Sequence, residues 1–302
     1  MGYGSWSSAD WKKYSSAKIS GKRVNDIYNA TKIDKKYDPK YIKVRESFDS
    51  ADHPVTTPII IGLDVTGSMS DLLDVTAKRL GEMVKDIIER QPVEGPQIMF
   101  CAVGDSRCDR SPLQVTQFES DIRIASQLTE LWFERGGGGN NFESYPLVWY
   151  LAANKTKTDA WEKRQQKGII FTLGDDGFPE KLLAKEIEKV FGDYVREDID
   201  TEALLAQVSR RYDVFHLMVM DRRSESTVKL PKWRELMGER AIAVTDVNAI
   251  PEIIVSLLES VAGRETEDII NSWDGDTQLA VRNALGGLPT QKRGALNSII
   301  RF

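Results

Sequence analysis

The sequence predicts an α/β fold: a doubly wound, mostly parallel central sheet with helices on both faces. A short, unbroken apolar run at residues 59–63 and largely apolar runs at 97–103, 168–173 and 214–219 suit strands buried on both sides of such a sheet. Segments with an apolar stripe at helical spacing alternate with them, which is the pattern of parallel strands joined by crossover helices. Several runs stop abruptly at polar residues or glycine, namely Asp64, Gly104-Asp105 and Asp175-Asp176-Gly177.

Taken in order, residues 1–54 read as an amino-terminal arm rich in Ser, Tyr and Lys. It carries enough aromatic and aliphatic residues (Trp6, Trp11, Tyr14, Ile19, Ile27, Tyr28) for parts of it to pack, with short helices expected at 8–14 and 24–31. Residues 55–263 form the α/β domain. Its first strand, 59–63, leads to a helix over 71–90 whose stripe is Leu73, Leu80, Met83, Val84, Ile87 and Ile88, ended by Pro92. A strand at 97–104 follows, and the alternation at 113–118 predicts a short edge strand, antiparallel to its neighbour.

Helices are expected at 122–134 and 143–154, with Pro146 tolerated in the first turn of the second. A strand at 167–174, helices at 179–191 and 201–211, and strands at 213–220 and 241–244 continue the alternation. His216 reads as a satisfied core histidine. A helix at 248–262 closes the domain at Gly263. Residues 264–302 read as a tail, helical near 265–273 and 277–285 and loose beyond.

Composition bounds the function. At 302 residues, 41% apolar and 29% charged, the chain is ordinary globular material. Its net charge of −5 disfavours nucleic acid as a partner, although the arm is basic, at 11 Lys and Arg against 7 Asp and Glu. No apolar run approaches a membrane span. Met1–Trp6 has neither the basic start nor the apolar core of a secretory signal, so a cytoplasmic chain is expected. Cys101 and Cys108 make no disulfide framework, and no histidine near Cys108 points to zinc.

Three polar clusters fall where the carboxyl ends of strands should lie, the place where open α/β sheets bind ligands. They are Asp64-x-Thr66-x-Ser68, the loop 136–144 with Asn140 and Asn141 after four glycines, and Asp175-Asp176-Gly177. Together they offer carboxylate, hydroxyl and amide oxygens without cysteine or histidine, a set that suits Mg²⁺, with Ca²⁺ or Mn²⁺ as alternatives. Ser68 and Ser70 could equally cap the following helix, but capping leaves Asp64 at the strand tip unexplained.

Asp64-Val65-Thr66-Gly67-Ser68, after a strand and before a helix, resembles the metal-ion-dependent adhesion site of von Willebrand factor A domains, whose pattern is Asp-x-Ser/Thr-x-Ser. The resemblance covers roughly 58–263 and is nearest in style to bacterial and phage members with a glycine-rich middle loop. It implies a Rossmann-like fold in which Asp64, Thr66 and Ser68 hold the cation and Asp176 is the distal carboxylate, with Asp175 as its alternate. That family usually places a threonine in the middle loop, where this chain has Asn140 and Asn141. The implied function is metal-dependent binding of a protein partner that supplies an acidic residue, without turnover.

Other readings fit less well. The glycine run lacks the Lys-Ser/Thr end of a phosphate-binding loop, and the first strand does not open a dinucleotide fingerprint. Gly67-Ser68-Met69 lacks the second glycine of a hydrolase elbow. The enzyme alternative is a Mg²⁺-dependent phosphatase of the haloacid dehalogenase type. It needs an acid two positions after the first aspartate, where this chain has Thr66.

Overall fold

The structure is a computed structural model that describes residues 4–66, 69–134, 141–220 and 225–288. The chain begins with helices α1 (Ser8–Lys18) and α2 (Val24–Ile27) and strand β1 (Arg45–Ser47). The run 59–63 lies in β2 (Thr57–Asp64), every residue of which is buried. Then come α3 (Ser70–Arg90), β3 (Pro96–Val103), β4 (Leu113–Val115), α4 (Arg123–Thr129), α5 (Pro146–Asn154), β5 (Thr156–Thr158), α6 (Asp159–Arg164) and β6 (Gly168–Gly174). The second half holds β7 (Lys181–Leu182), α7 (Ala184–Phe191), β8 (Ile199–Asp200), α8 (Thr201–Val208), β9 (Tyr212–Val219), α9 (Glu225–Met237), β10 (Ala241–Val244), α10 (Ile250–Val261), α11 (Thr266–Asn271) and α12 (Gly275–Leu285).

Among the described residues, six strands make the central sheet in the order β10-β9-β6-β2-β3-β4. Every pairing is parallel except β3 with β4, the edge strand expected to run the other way. The doubly wound fold is therefore the one the sequence predicts. The chain leaves β2 for β3 on one side and returns to β6 on the other. The strand order reverses beside β2, and the carboxyl ends at such a reversal are where open α/β sheets bind ligands. Asp64, Gly174 and Gly104 all lie at that edge.

Each face of the sheet is covered. Ile59, Ile61 and Leu63 point into one apolar layer with α3, α4, α10, α11 and α12. Ile60 points into the other with Met99, Ile170 and the helices α5, α7 and α8. This alternation follows from the two-residue period of a strand. In α3 the stripe is as expected except for Ile88, which is 38% exposed, while Leu72 takes a buried place.

The amino-terminal segment packs on this core. Ile19, Ile27, Tyr28, Tyr37 and Ile42 are buried, and β1 pairs in parallel with β5. Trp11 lies so close over Gly81 of α3 that a Cβ there would overlap its indole ring. The first helix is longer than expected, the second shorter. The segment after Gly263 also packs, through Ile269, Ile270, Val281 and Leu285.

Several boundaries differ for identifiable reasons. The helix expected over 122–134 ends at Thr129, because the Gln114 side-chain amide takes both backbone groups of Trp132 and holds that stretch extended. Glu143, Ser144 and Tyr145 stay outside α5, whose first residue is Pro146, and Ser144 N–H donates instead to the Gly104 carbonyl. The helix expected from 179 starts at Ala184, after β7 pairs antiparallel with β8. The helix α9 was not expected at all.

Candidate metal centre

The site is built from the tip of β2 outward. Asp64 is fully buried. Its Oδ1 accepts the Thr66 backbone N–H at 2.9 Å and the Thr66 hydroxyl at 2.6 Å, a local turn that aspartate forms readily. Its Oδ2 accepts the Tyr145 hydroxyl at 3.0 Å. Gly174, at the end of β6, abuts both groups, and a Cβ there would stand 2.8 Å from Asp64 Oδ2. Only glycine leaves the carboxylate this room. Burial pushes the Asp64 carboxyl well above the usual range; the Thr66 bonds pull it back, and the Asp175 charge pushes it up further.

The second wall is the turn after β6. Asp175 and Asp176 are both half-buried. Asp176 Oδ1 accepts Gly177 N–H at 2.9 Å and pairs with Lys229 Nζ at 2.7 Å, and its carbonyl accepts Trp233 Nε1–H at 3.0 Å. The residue expected as the distal carboxylate is thus held by α9. Asp175 is the member of the pair whose charge acts on Asp64.

The middle loop supplies the third wall. Phe142 bridges to Gly177, and Glu143 N–H donates to the Gly177 carbonyl at 3.0 Å. Ser144 Oγ accepts Ser106 N–H at 2.9 Å, which ties the loop to the exit of β3. Asn141 is exposed. Ser68 and Asn140 lie outside the described residues.

Glu143 is the feature the sequence reading passed over. It is 4% exposed, and its Oε2 has no hydrogen-bond partner among the described residues. Burial pushes its carboxyl far up, and the charges of Asp64, Asp105, Asp109 and Asp176 add to that. The signal was available: a carboxylate shortly after a glycine run and just before the proline that starts a helix. Tyr145, Lys229 and Trp233 were missed too. The apolar positions Leu230, Trp233 and Met237 have helical spacing and could have revealed α9, although Pro231 in its middle argues against a helix. His216 is buried as expected, with Nδ1 2.9 Å from Thr172 Oγ1 and its ring stacked on Trp233 at 3.6 Å, but it is only half satisfied, because Nε2 meets no hydrogen-bond partner among the described residues. Cys101 is buried, and Cys108 is exposed with its thiol pushed up to about 11, chiefly by its bond to Asp105.

Among the described residues, no group of three or more Asp, Glu, His or Cys side chains is placed to share a metal ion. A cation here would rest on fewer carboxylates, completed by hydroxyls and water, as Mg²⁺ commonly is. The buried Asp64, the adjoining Thr66 hydroxyl and an orphaned Glu143 oxygen fit such an ion.

No protein-family model matches the chain, and no curated protein matches it. Among solved structures it is similar to the pilus adhesin SpaC of Lactobacillus rhamnosus GG in its open conformation. That match has 10% identity over 72% of this chain and 30% of the adhesin, at a TM-score of 0.44. Proximal thread matrix protein 1 of the mussel byssus matches at 10% identity over 69% of this chain and 48% of that one, with a TM-score of 0.45. The ArnB paralog VWA2 of Sulfolobus acidocaldarius matches at 9% identity over 66% and 44%, with a TM-score of 0.33. The chain spans less than half the length of each of these proteins. No helix among the described residues is long and apolar enough to cross a membrane.

Proposed function

We propose that this chain is a von Willebrand factor A-like interaction module that binds a protein partner through a divalent cation at the Asp64–Thr66 loop. The observation that carries the reading is Asp64 itself: a fully buried carboxylate at the tip of the central strand, oriented by Thr66 and Tyr145 at the switch point of the sheet. A buried, unpaired charge is costly, and a cation is one way to offset it. In this reading Asp64, Thr66 and Ser68 hold Mg²⁺, with Asp175 nearby. Bound there, the ion would offer an open coordination position to a carboxylate from an acidic partner.

The protein's own part is orientation and exclusion of water. Tyr145 and Gly174 hold Asp64 in one place, and the buried surroundings strengthen attraction between a cation and an incoming anion. Turnover has less support, since Thr66 stands where a phosphatase needs its general acid.

The test is capture of partner proteins from the native cell by wild type and Asp64→Ala, in Mg²⁺ and in EDTA. The reading expects capture by wild type in Mg²⁺ alone. Equal capture in EDTA, or by a folded Asp64→Ala, would sink it. Metal-dependent release of phosphate from an aryl phosphate would favour the hydrolase instead.

A further inference from the structure

We infer that Glu143 is the middle-loop ligand of the cation, in the role the sequence reading gave to Asn140 or Asn141. The inference rests on the proposed cation site and names a ligand for it. Its ground is geometric. Glu143 is 4% exposed, yet Oε2 meets no donor among the described residues. Leaving a buried carboxyl oxygen unpaired is costly, and an unpartnered oxygen beside the Asp64 turn calls for a ligand.

The neighbouring cationic side chains are committed elsewhere. Lys229 pairs with Asp176. Lys189 donates to the carbonyls of Ser106 and Asp109. Arg107 pairs with Glu186 and lies over the Phe142 ring. The charges of Asp64, Asp105, Asp109 and Asp176 oppose its ionisation, after burial itself.

The backbone around Glu143 is also pinned. Its N–H is bonded to Gly177 O and the next N–H to Gly104 O, so the loop is fixed to the ends of both β6 and β3. A buried carboxyl on a pinned loop at a switch point, with an unpartnered oxygen and no ion pair among the described residues, has the setting of a metal ligand. Asn141, by contrast, is exposed.

Glu143→Gln keeps the shape and removes the charge. Titration of the purified chain with Mn²⁺, followed by water-proton relaxation, should show affinity weakened about tenfold or more in this variant, because ligand charge sets affinity at oxygen sites. Water exchanging on the bound ion should increase. Thermal unfolding without metal should show the variant at least as stable as wild type, since a buried acid that ionises freely only in the unfolded chain is gone. Wild-type affinity and relaxation in a folded Glu143→Gln would overturn the inference while leaving the cation site standing. If wild type binds no Mn²⁺, the site and the inference fall together. Should Glu143→Gln fail to fold, Glu143→Asp, which keeps the charge and shortens the reach, must weaken Mn²⁺ binding; unchanged binding there overturns the inference too.

Discussion

Metal-free protein should lose stability as the pH rises from 6.5 to about 8, and saturating Mg²⁺ should abolish or reverse that slope. Burial lifts the folded Asp64 carboxyl from 3.8 to about 7, and the folded Glu143 carboxyl is lifted further still. An acid whose folded value is raised holds its proton in the native state over a range where the unfolded chain has lost it. The stability it contributes is complete below the ordinary carboxylate range and is lost as the pH climbs through the folded value. His216 has the opposite effect, because burial lowers it well below 6.5 and it stays neutral in the fold. The unfolded imidazole is half protonated at 6.5 and has lost nearly all of its proton by about 7.5, so it opposes the slope only in the lower part of the window and leaves the upper part free. A bound divalent cation favours the charged carboxylates and removes the cause of the slope. Thermal melts at several pH values, in EDTA and in excess Mg²⁺, check this; parallel slopes in the two conditions would contradict it.

Trp233→Ala should cost about 3–5 kcal/mol, the usual range for truncating a buried Trp, and lower the melting temperature by roughly 10 °C. Trp233 is fully buried and stacks on His216 at 3.6 Å, with Phe178 at 4.4 Å and Tyr145 at 5.6 Å between ring centroids. It therefore joins α9 to β9, to the Asp176 turn and to the tyrosine that orients Asp64. Metal affinity should fall along with stability. Trp233→Phe separates the two roles: it keeps most of the packing and loses only the bond from Nε1 to the Asp176 carbonyl, worth about 1 kcal/mol. Chemical denaturation of the three proteins measures the difference. A loss below about 1 kcal/mol for Trp233→Ala would show that α9 is not a structural wall of the site.

The parts of this site that were legible in the sequence are those set by local pattern. Residues 59–63 are apolar on both faces, which places β2 in the middle of the sheet, and the abrupt change to Asp64 marks its tip. The parts that were not legible depend on contacts between distant residues. Glu143 looks like the first turn of a helix until Ser144 N–H is seen to bond to Gly104, which keeps both residues out of α5. Lys229 acquires its role only by meeting Asp176, across a helix whose central Pro231 argues against its existence. The three-residue strands β1 and β5 are too short to carry a period and exist because they pair with each other. Gln114 ends α4 by bonding to Trp132, eighteen residues along the chain.

The central claim is that Asp64 carries the charge that holds a divalent cation at the tip of β2. Calorimetric titration of Mg²⁺ into wild type and Asp64→Asn tests it most directly. The asparagine Oδ1 can still accept the two Thr66 bonds, while its Nδ2 replaces Oδ2 and donates to the Tyr145 oxygen instead, so the turn is kept and the charge is lost. The account predicts saturable binding at one site in wild type and none in the variant. Equal binding by the two proteins would contradict it.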